Sequence, residues 1–412
     1  MNKQLIYIPV LLASLNIACS NNNTDVLGIS ETQAKTVKTK KRMSGHRLPE
    51  GVISVDIVNT NNRLHLLTGK HQQAQTTLWY QYSNDEGKSW SSAVKVLNDD
   101  NLPAKVVRGS DAQIAAQGDT IVVTWMRRVE GARFNAGPMQ AARSIDSGQT
   151  WQYSAIPPDW ITGPHGYMEM AADNLAMHVV WLDSRNGRSD LKASQGLRYA
   201  KSLDGGLSWH ANKTLDETTC SCCWNTLKTN ANGNTFVLYR DKKPSDLAIG
   251  VIDDQQQWKY LNKVGAFNWD FDGCPHIGGG LDIQTTADNK RLHAIVGTGH
   301  EDHLGIHYLH SNDNGHNWSK PMQLGDESAL HADIAAHDDG RVVAVWDMMG
   351  EDGLTVFVAE SADQGINWSQ PRQLSTTGMR ASHPRTVKTE NGFLTLWTES
   401  DGQRQTLGTQ RF

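Results

Sequence analysis

The 412-residue chain has no surplus of basic residues: 39 Lys and Arg stand against 44 Asp and Glu, a net charge of −5. That balance excludes the cationic surface on which a nucleic-acid binder depends, so no nucleic-acid partner is expected. Long apolar runs are equally scarce. Hydrophobic residues make up 38% of the chain and mean hydropathy is −0.52, which excludes a multi-span membrane protein. The one apolar run, residues 5–17, is too short to span a bilayer comfortably. Only five cysteines are present, and four of them are crowded into two short segments.

Against these absences stands a repeat. The chain spells Ser-x-Asp-x-Gly-x-x-Trp at Ser83–Trp90, Ser144–Trp151, Ser202–Trp209, Ser311–Trp318 and Ser361–Trp368. These residue types suit a hairpin turn. Asp accepts backbone N–H groups, Gly supplies a positive φ, and Trp returns to the core as an apolar anchor. A decayed copy keeps Asp253 and Trp258, with Val251 and Gln255 in place of Ser and Gly.

A second column of short apolar strands counts the repeats. It runs through Ile57, Ile114, Met170, Leu227, Ile283, Ile334 and Val387, at intervals of about 51–57 residues. The spacing predicts an all-β fold of seven repeats; the Asp boxes resemble those of sialidase-type β-propellers, which implies a seven-bladed β-propeller of four-stranded antiparallel blades, with six blades as the alternative. The seventh repeat ends after three strands, and residues 36–45 are expected to supply its outer strand, closing the ring and removing sheet edges.

The N-terminus reads as targeting sequence. Residues 1–18 are expected to be a signal peptide that resembles a bacterial lipoprotein signal, with Cys19 the lipidated residue. Residues 19–41 form a polar tether, and 42–412 a single propeller domain. The implied location is the cell envelope: anchored by lipid, facing periplasm or surface from the outer membrane, with secretion as the alternative.

In a four-stranded blade, the turns after strands one and three share one face, which carries the Asp boxes. The opposite face is built by inter-blade loops and is where chemistry is expected. Those loops hold Cys220, Cys222, Cys223, Cys274 and His276, together with His165, His331 and His383. Three readings of the cysteines stay open: disulfides tying two loops, a thiolate site for a soft metal such as copper or zinc, and a redox-active thiol pair. A Cys222–Cys223 bond would be strained, because adjacent Cα atoms lie about 3.8 Å apart. On the inner strands, Asp56, Glu169, Asp282 and Asp333 form an aligned column pointing into the channel.

The Asp boxes resemble those of the sialidase superfamily over residues 50–412. The resemblance implies three arginines gripping a sugar carboxylate, a Tyr–Glu nucleophile pair and an Asp acid/base. His46-Arg47-Leu48-Pro49 is similar to the family's first arginine motif and makes Arg47 the carried-over candidate. Arg240 and Arg385 are candidates to complete the cluster, Tyr167 and Glu169 share a funnel direction, and Asp241 follows Arg240. Three functions compete. The first is an anchored propeller binding a soft metal ion, foremost copper, at its Cys/His mouth. The second is an exo-sialidase-type glycoside hydrolase acting on a sugar acid. The third is a non-catalytic glycan- or protein-binding propeller. If the chain turns over a substrate, it is a sialidase-like hydrolase or a metal-dependent redox protein.

Overall fold

The computed structural model describes residues 48–98, 103–129, 137–185, 194–285, 290–351 and 353–412. The chain divides into two units, Met1–Arg47 and Leu48–Phe412. The expected signal peptide, Cys19, the tether, the strand at 36–45 and Arg47 lie outside the described residues. Among the described residues there are 27 strands, β1 to β27 in chain order, and no helix.

Five sheets hold four strands each, every strand beside the one that follows it in sequence. A sixth sheet holds seven, in the order β25-β26-β27-β1-β2-β3-β4. These are Arg380–Lys388, Phe393–Ser400, Arg404–Arg411, Glu50–Thr60, Arg63–Gln72, Gln75–Ser83 and Val94–Lys95. The join within it is slight: Glu50 and Gly51 run parallel to Arg404 and Gln405. The start of β1 thus covers the edge of β27.

Six of the seven segments of the counted column fall on the first strand of a four-strand succession, and the seventh falls on the first of the three strands β25–β27. The seven are β1, β5 (Gln113–Gln117), β9 (His165–Ala172), β13 (Thr226–Thr229), β17 (Gly279–Thr285), β21 (Leu330–Ala336) and β25. Beyond the short β1–β27 pairing, each first strand presents an edge with no strand partner among the described residues, and side chains supply hydrogen bonds there. Asp56 Oδ2 accepts the Ile114 N–H at 2.8 Å, Asp282 Oδ2 the Ala336 N–H at 2.8 Å, and Asp333 Oδ2 the Thr386 N–H at 2.9 Å. Thr229 donates to Ala172 O, Thr226 to Gly279 O and Asn59 to Lys388 O. The acidic column is therefore partly a seam that sews first strands together.

The Asp boxes are turns of the expected kind. In each, Ser Oγ donates to the Asp carboxylate, as from Ser311 to Asp313 at 2.8 Å, and accepts the Gly N–H. Asp313 also accepts the backbone and side-chain N–H of Asn317, and these bonds hold its carboxyl at about 2. The glycines do more than allow φ near +85°. A Cβ on Gly148 would meet the Tyr80 ring at 2.0 Å, and one on Gly365 the Tyr308 hydroxyl at 1.9 Å, each on the preceding sheet succession. Trp151 and Trp368 pack edge-on against the same two tyrosines. The box is thus the contact that locks one sheet against the next. The decayed copy keeps its turn, with the Gln257 N–H on Asp253 Oδ1 at 2.7 Å.

Candidate functional site

At the inter-blade-loop end, two loops bring four thiols together. Cys220 closes β12 (Lys213–Cys220), Cys222 and Cys223 follow it in the turn to β13, and Cys274 lies between β16 (Trp258–Val264) and β17. All four are free thiols. Cys220 Sγ lies 3.7 Å from Cys222 Sγ and 2.9 Å from Cys223 Sγ, and Ser221 Oγ lies 3.4 Å from Cys274 Sγ. The donor atoms of Cys220, Cys222 and Cys223 lie within 4.8 Å of one another, as do those of Cys222, Cys274 and His276. Cys222 belongs to both sets and joins them.

The surroundings set the charge of these sulfurs. Burial opposes ionisation of Cys223. Hydrogen bonds from Cys220 and Cys222, the Arg240 guanidinium and the Ile277 N–H outweigh it and hold this thiol well below its ordinary range. Hydrogen bonds to Cys220, Cys223 and Cys274 push the Cys222 thiol far up, and those with Cys220 lead the rise at Cys274. The sulfurs therefore differ: the surroundings of Cys223 favour its thiolate, while those of Cys222 and Cys274 favour the thiol.

Beside this cluster is a second one of imidazoles. The buried carboxylate of Asp347, on β22 (Val342–Gly350), accepts the His331 Nδ1–H at 2.8 Å and the His383 backbone N–H at 2.8 Å. That bond leaves His331 Nε2 as the free ring nitrogen. The two rings stack with centroids 3.8 Å apart, and the Trp224 ring lies 5.5 and 5.8 Å from them. Burial, then the charges of His331, Arg108 and His276, keep His383 well below the usual imidazole range. His331 and His383 have φ of +43° and +52°, at the β-bulges that open β21 and β25. Trp224 directly follows Cys223, so one turn serves both clusters.

Farther along the axis, the channel widens toward the Asp-box face into a cavity of about 410 Å³. Its wall includes Glu169, Lys228, Asp282, Asp333 and Arg385. Arg385 Nη2 donates to Glu169 at 3.1 Å and Asp56 at 3.3 Å, and its Nε lies 3.8 Å from Asp333. Lys228 Nζ is 3.6 Å from Asp282. Burial pushes Glu169 up to about 7 against the pull of Arg385.

The structure brings some of the expected site residues together and separates others. Cys220, Cys222, Cys223, Cys274 and His276 converge. His331 and His383 meet each other and Trp224, in a set of their own with Asp347. His165 stands apart: its buried Nδ1 accepts the Met139 N–H, and its ring sits between Trp160 and Trp181. Tyr167 does not point with Glu169. At φ +50° and beside a bulge in the β9 pairing, it turns into the apolar core with Cys220, Cys222 and Cys223. Arg240 and Arg385 are not open cations. Arg240 is buried and donates to the carbonyls of Ile277, Ser245 and Gly297, while Arg385 is engaged by three carboxylates. Asp241 lies 3.6 Å from Lys263, and burial raises its carboxyl. Sequence reasoning places Asp347 among the funnel-side loop residues but gives neither it nor Trp224 a role in the site. Their signals were a lone Asp at a strand end and an aromatic directly after the paired cysteines.

No family model matches the chain, and no curated protein matches it. Solved structures do. An ulvan lyase bound to -[GlcA(1-4)Rha3S]- superposes with a TM-score of 0.58 at 10% identity, over 88% of this chain and 94% of that one. The polysaccharide lyase Uly1 gives 0.57 at 11%, over 92% and 94%. A Trypanosoma rangeli sialidase with 2,3-difluorosialic acid gives 0.50 at 11%, over 89% of this chain and 55% of that one. These likenesses and the succession of antiparallel sheets define the class: the chain has a sialidase-like β-propeller fold. At such identities the likeness extends to the fold alone.

Proposed function

We propose that this chain is a seven-bladed propeller of the cell envelope that binds a soft metal ion at its inter-blade-loop mouth, copper(I) foremost and zinc second. The seven first strands, six of whose seven junctions are tied by side-chain hydrogen bonds, support the blade number, with the three strands β25–β27 completed by the start of β1. The observation that carries the metal reading is the convergence of four free thiols and the His276 imidazole on Cys222. Thiolate with imidazole is the donor set that copper(I) and zinc prefer. Cys220, Cys222 and Cys223 would hold the ion from within, and Cys274 and His276 from the rim. His331, His383 and Trp224 would flank it, and His165 is no longer among the ligands proposed. Envelope attachment through Cys19, after removal of residues 1–18, is part of the same reading.

The test is metal analysis of full-length protein purified from the envelope, with thiols counted by mass. One copper or zinc per chain with unpaired cysteines supports the reading. Metal-free protein carrying two disulfides refutes it.

A glycan-directed function is the second reading, favoured by the full-length likeness to two polysaccharide lyases and by the Asp347-oriented His331. Sialidase-type gripping of a carboxylate by Arg240 and Arg385 is disfavoured, because both guanidinium groups are already engaged. Binding on an array of uronic and sialic glycans would favour this second reading.

A further inference from the structure

The thiol cluster is graded from one side to the other. Cys220, Cys222 and Cys223 are 2%, 0% and 1% exposed, and they lie against buried Tyr167, Leu215 and Leu227. Cys274 is half-buried and His276 is exposed. Both rim residues come from the connection of residues 265–278, while the three inner sulfurs come from one four-residue turn.

That connection is pinned on both sides of the rim. The Asp246 carboxylate accepts the N–H groups of Asn268 and Trp269, Ser245 Oγ donates to Phe271 O at 2.9 Å, and Lys242 Nζ donates to Gly273 O at 3.2 Å. Beyond the rim, Arg240 holds Ile277 O at 2.8 Å. A rim fastened at both ends does not swing open, so an ion passes it by exchange of ligands. The same connection exposes Asp270, Phe271 and Asp272, with Phe271 stacked on Trp269 at 5.0 Å. Asp272 lies 3.7 Å from Lys242 Nζ and stays half exposed, and with Asp270 and the Phe271 edge it makes a rim that suits a cation or a partner of basic character.

Resting on the metal-binding reading above, we infer that Cys274 and His276 form an exchange gate, through which copper(I) passes to a partner presenting a thiolate or thioether within a basic surface. When the donor is a thiol, its sulfur forms a bond to copper as the bond to Cys274 Sγ breaks. The proton shed by the incoming thiol goes to the departing Cys274 thiolate, and copper stays in the same oxidation state. The three inner sulfurs keep hold until the last bond is exchanged. They provide affinity, and the gate sets the rate.

The experiment uses full-length protein loaded anaerobically with one equivalent of copper(I) and chased with excess bicinchoninate, a coloured copper(I) chelator. Cys274→Ser and His276→Ala should each retain the equivalent and release it about tenfold faster than wild type, because a side chain covering the ion is gone. Cys222→Ser should retain none. In the metal-free protein, iodoacetamide should modify Cys274 well before the three buried thiols. The gate is refuted if Cys274→Ser loses copper as completely as Cys222→Ser, or if both rim variants release it at the wild-type rate. Wild-type protein that binds no copper(I) while carrying four free thiols overturns the metal reading itself, a result distinct from either.

Discussion

The two ends of the central channel are built on opposite principles. At the Asp-box end is a cavity of about 410 Å³ where charges pair with one another: Arg385 with Asp56, Glu169 and Asp333, and Lys228 with Asp282. At the other end the cavity beside Trp224, His331 and His383 is only about 30 Å³, and the clustered donors are thiols and imidazoles. Size and reactivity are therefore separated along one axis. The roomier end spends its polar groups on holding the ring together. The packed end gathers sulfur and imidazole donors that bond mainly to one another and to Asp347.

Cys222→Ser tests the packed end most severely. Cys222 joins both donor sets, so the variant should lose the bound metal altogether, with affinity down at least about 100-fold, while its sheets melt as a propeller should. Competitive titration against a chelator measures this. Copper retained in full would show that the sulfurs are mere packing.

Arg385→Met tests the charged end. It leaves three carboxylates facing one another, and breaking such an arrangement costs about 3–5 kcal/mol. Urea unfolding should report that loss, with metal binding untouched. A stability change below about 1 kcal/mol would show that water, and not Arg385, balances these carboxylates.

Glu169→Gln should act more gently and only over part of the pH range. The native carboxyl sits at about 7, above its ordinary 4.5, so the folded state binds its proton more tightly than the unfolded chain. Wild-type stability from this group is full below pH 4.5 and is lost as pH rises through 7, by at most about 3 kcal/mol. The glutamine variant should flatten that slope in melts taken from pH 5 to pH 8. An unchanged slope would assign the titration to another group.

Much of this division was legible in the sequence. The Asp box needs only an order of residue types, and seven repeats of an apolar strand need only a count. The meeting of Cys220–Cys223 with Cys274 followed from their lying in successive inter-blade loops. What failed was orientation at the strand entrances. Alternation by two places Tyr167 with Glu169, but a bulge and a positive φ turn Tyr167 into the core. The same kind of bulge aims His331 and His383 at Asp347. The arginines failed for another reason. Whether Arg385 is free depends on Asp56 and Glu169, 329 and 216 residues away in sequence, and no local pattern carries that. Asp338 paired with Lys388 and Asp339 paired with Arg341 look no different in sequence from Asp347, yet they sit at the surface.

Asp347→Asn makes the finest distinction, between one extended mouth and two neighbouring clusters. The carboxylate accepts two N–H groups, and an amide has one acceptor oxygen. If that oxygen keeps the His383 N–H, the amide nitrogen faces His331 Nδ1. The ring must then shed its Nδ1 proton, carry it on Nε2 and accept from the amide. The expected result is a change of His331 tautomer, read by ¹⁵N NMR, with a stability loss of about 1 kcal/mol. Copper affinity should move by no more than about twofold, because His331 shares no donor set with the cysteines. If affinity falls about tenfold or more, Trp224 couples the two clusters and the imidazoles belong to the metal's outer shell. The contrast within the channel would then be one continuous functional mouth against one structural seam.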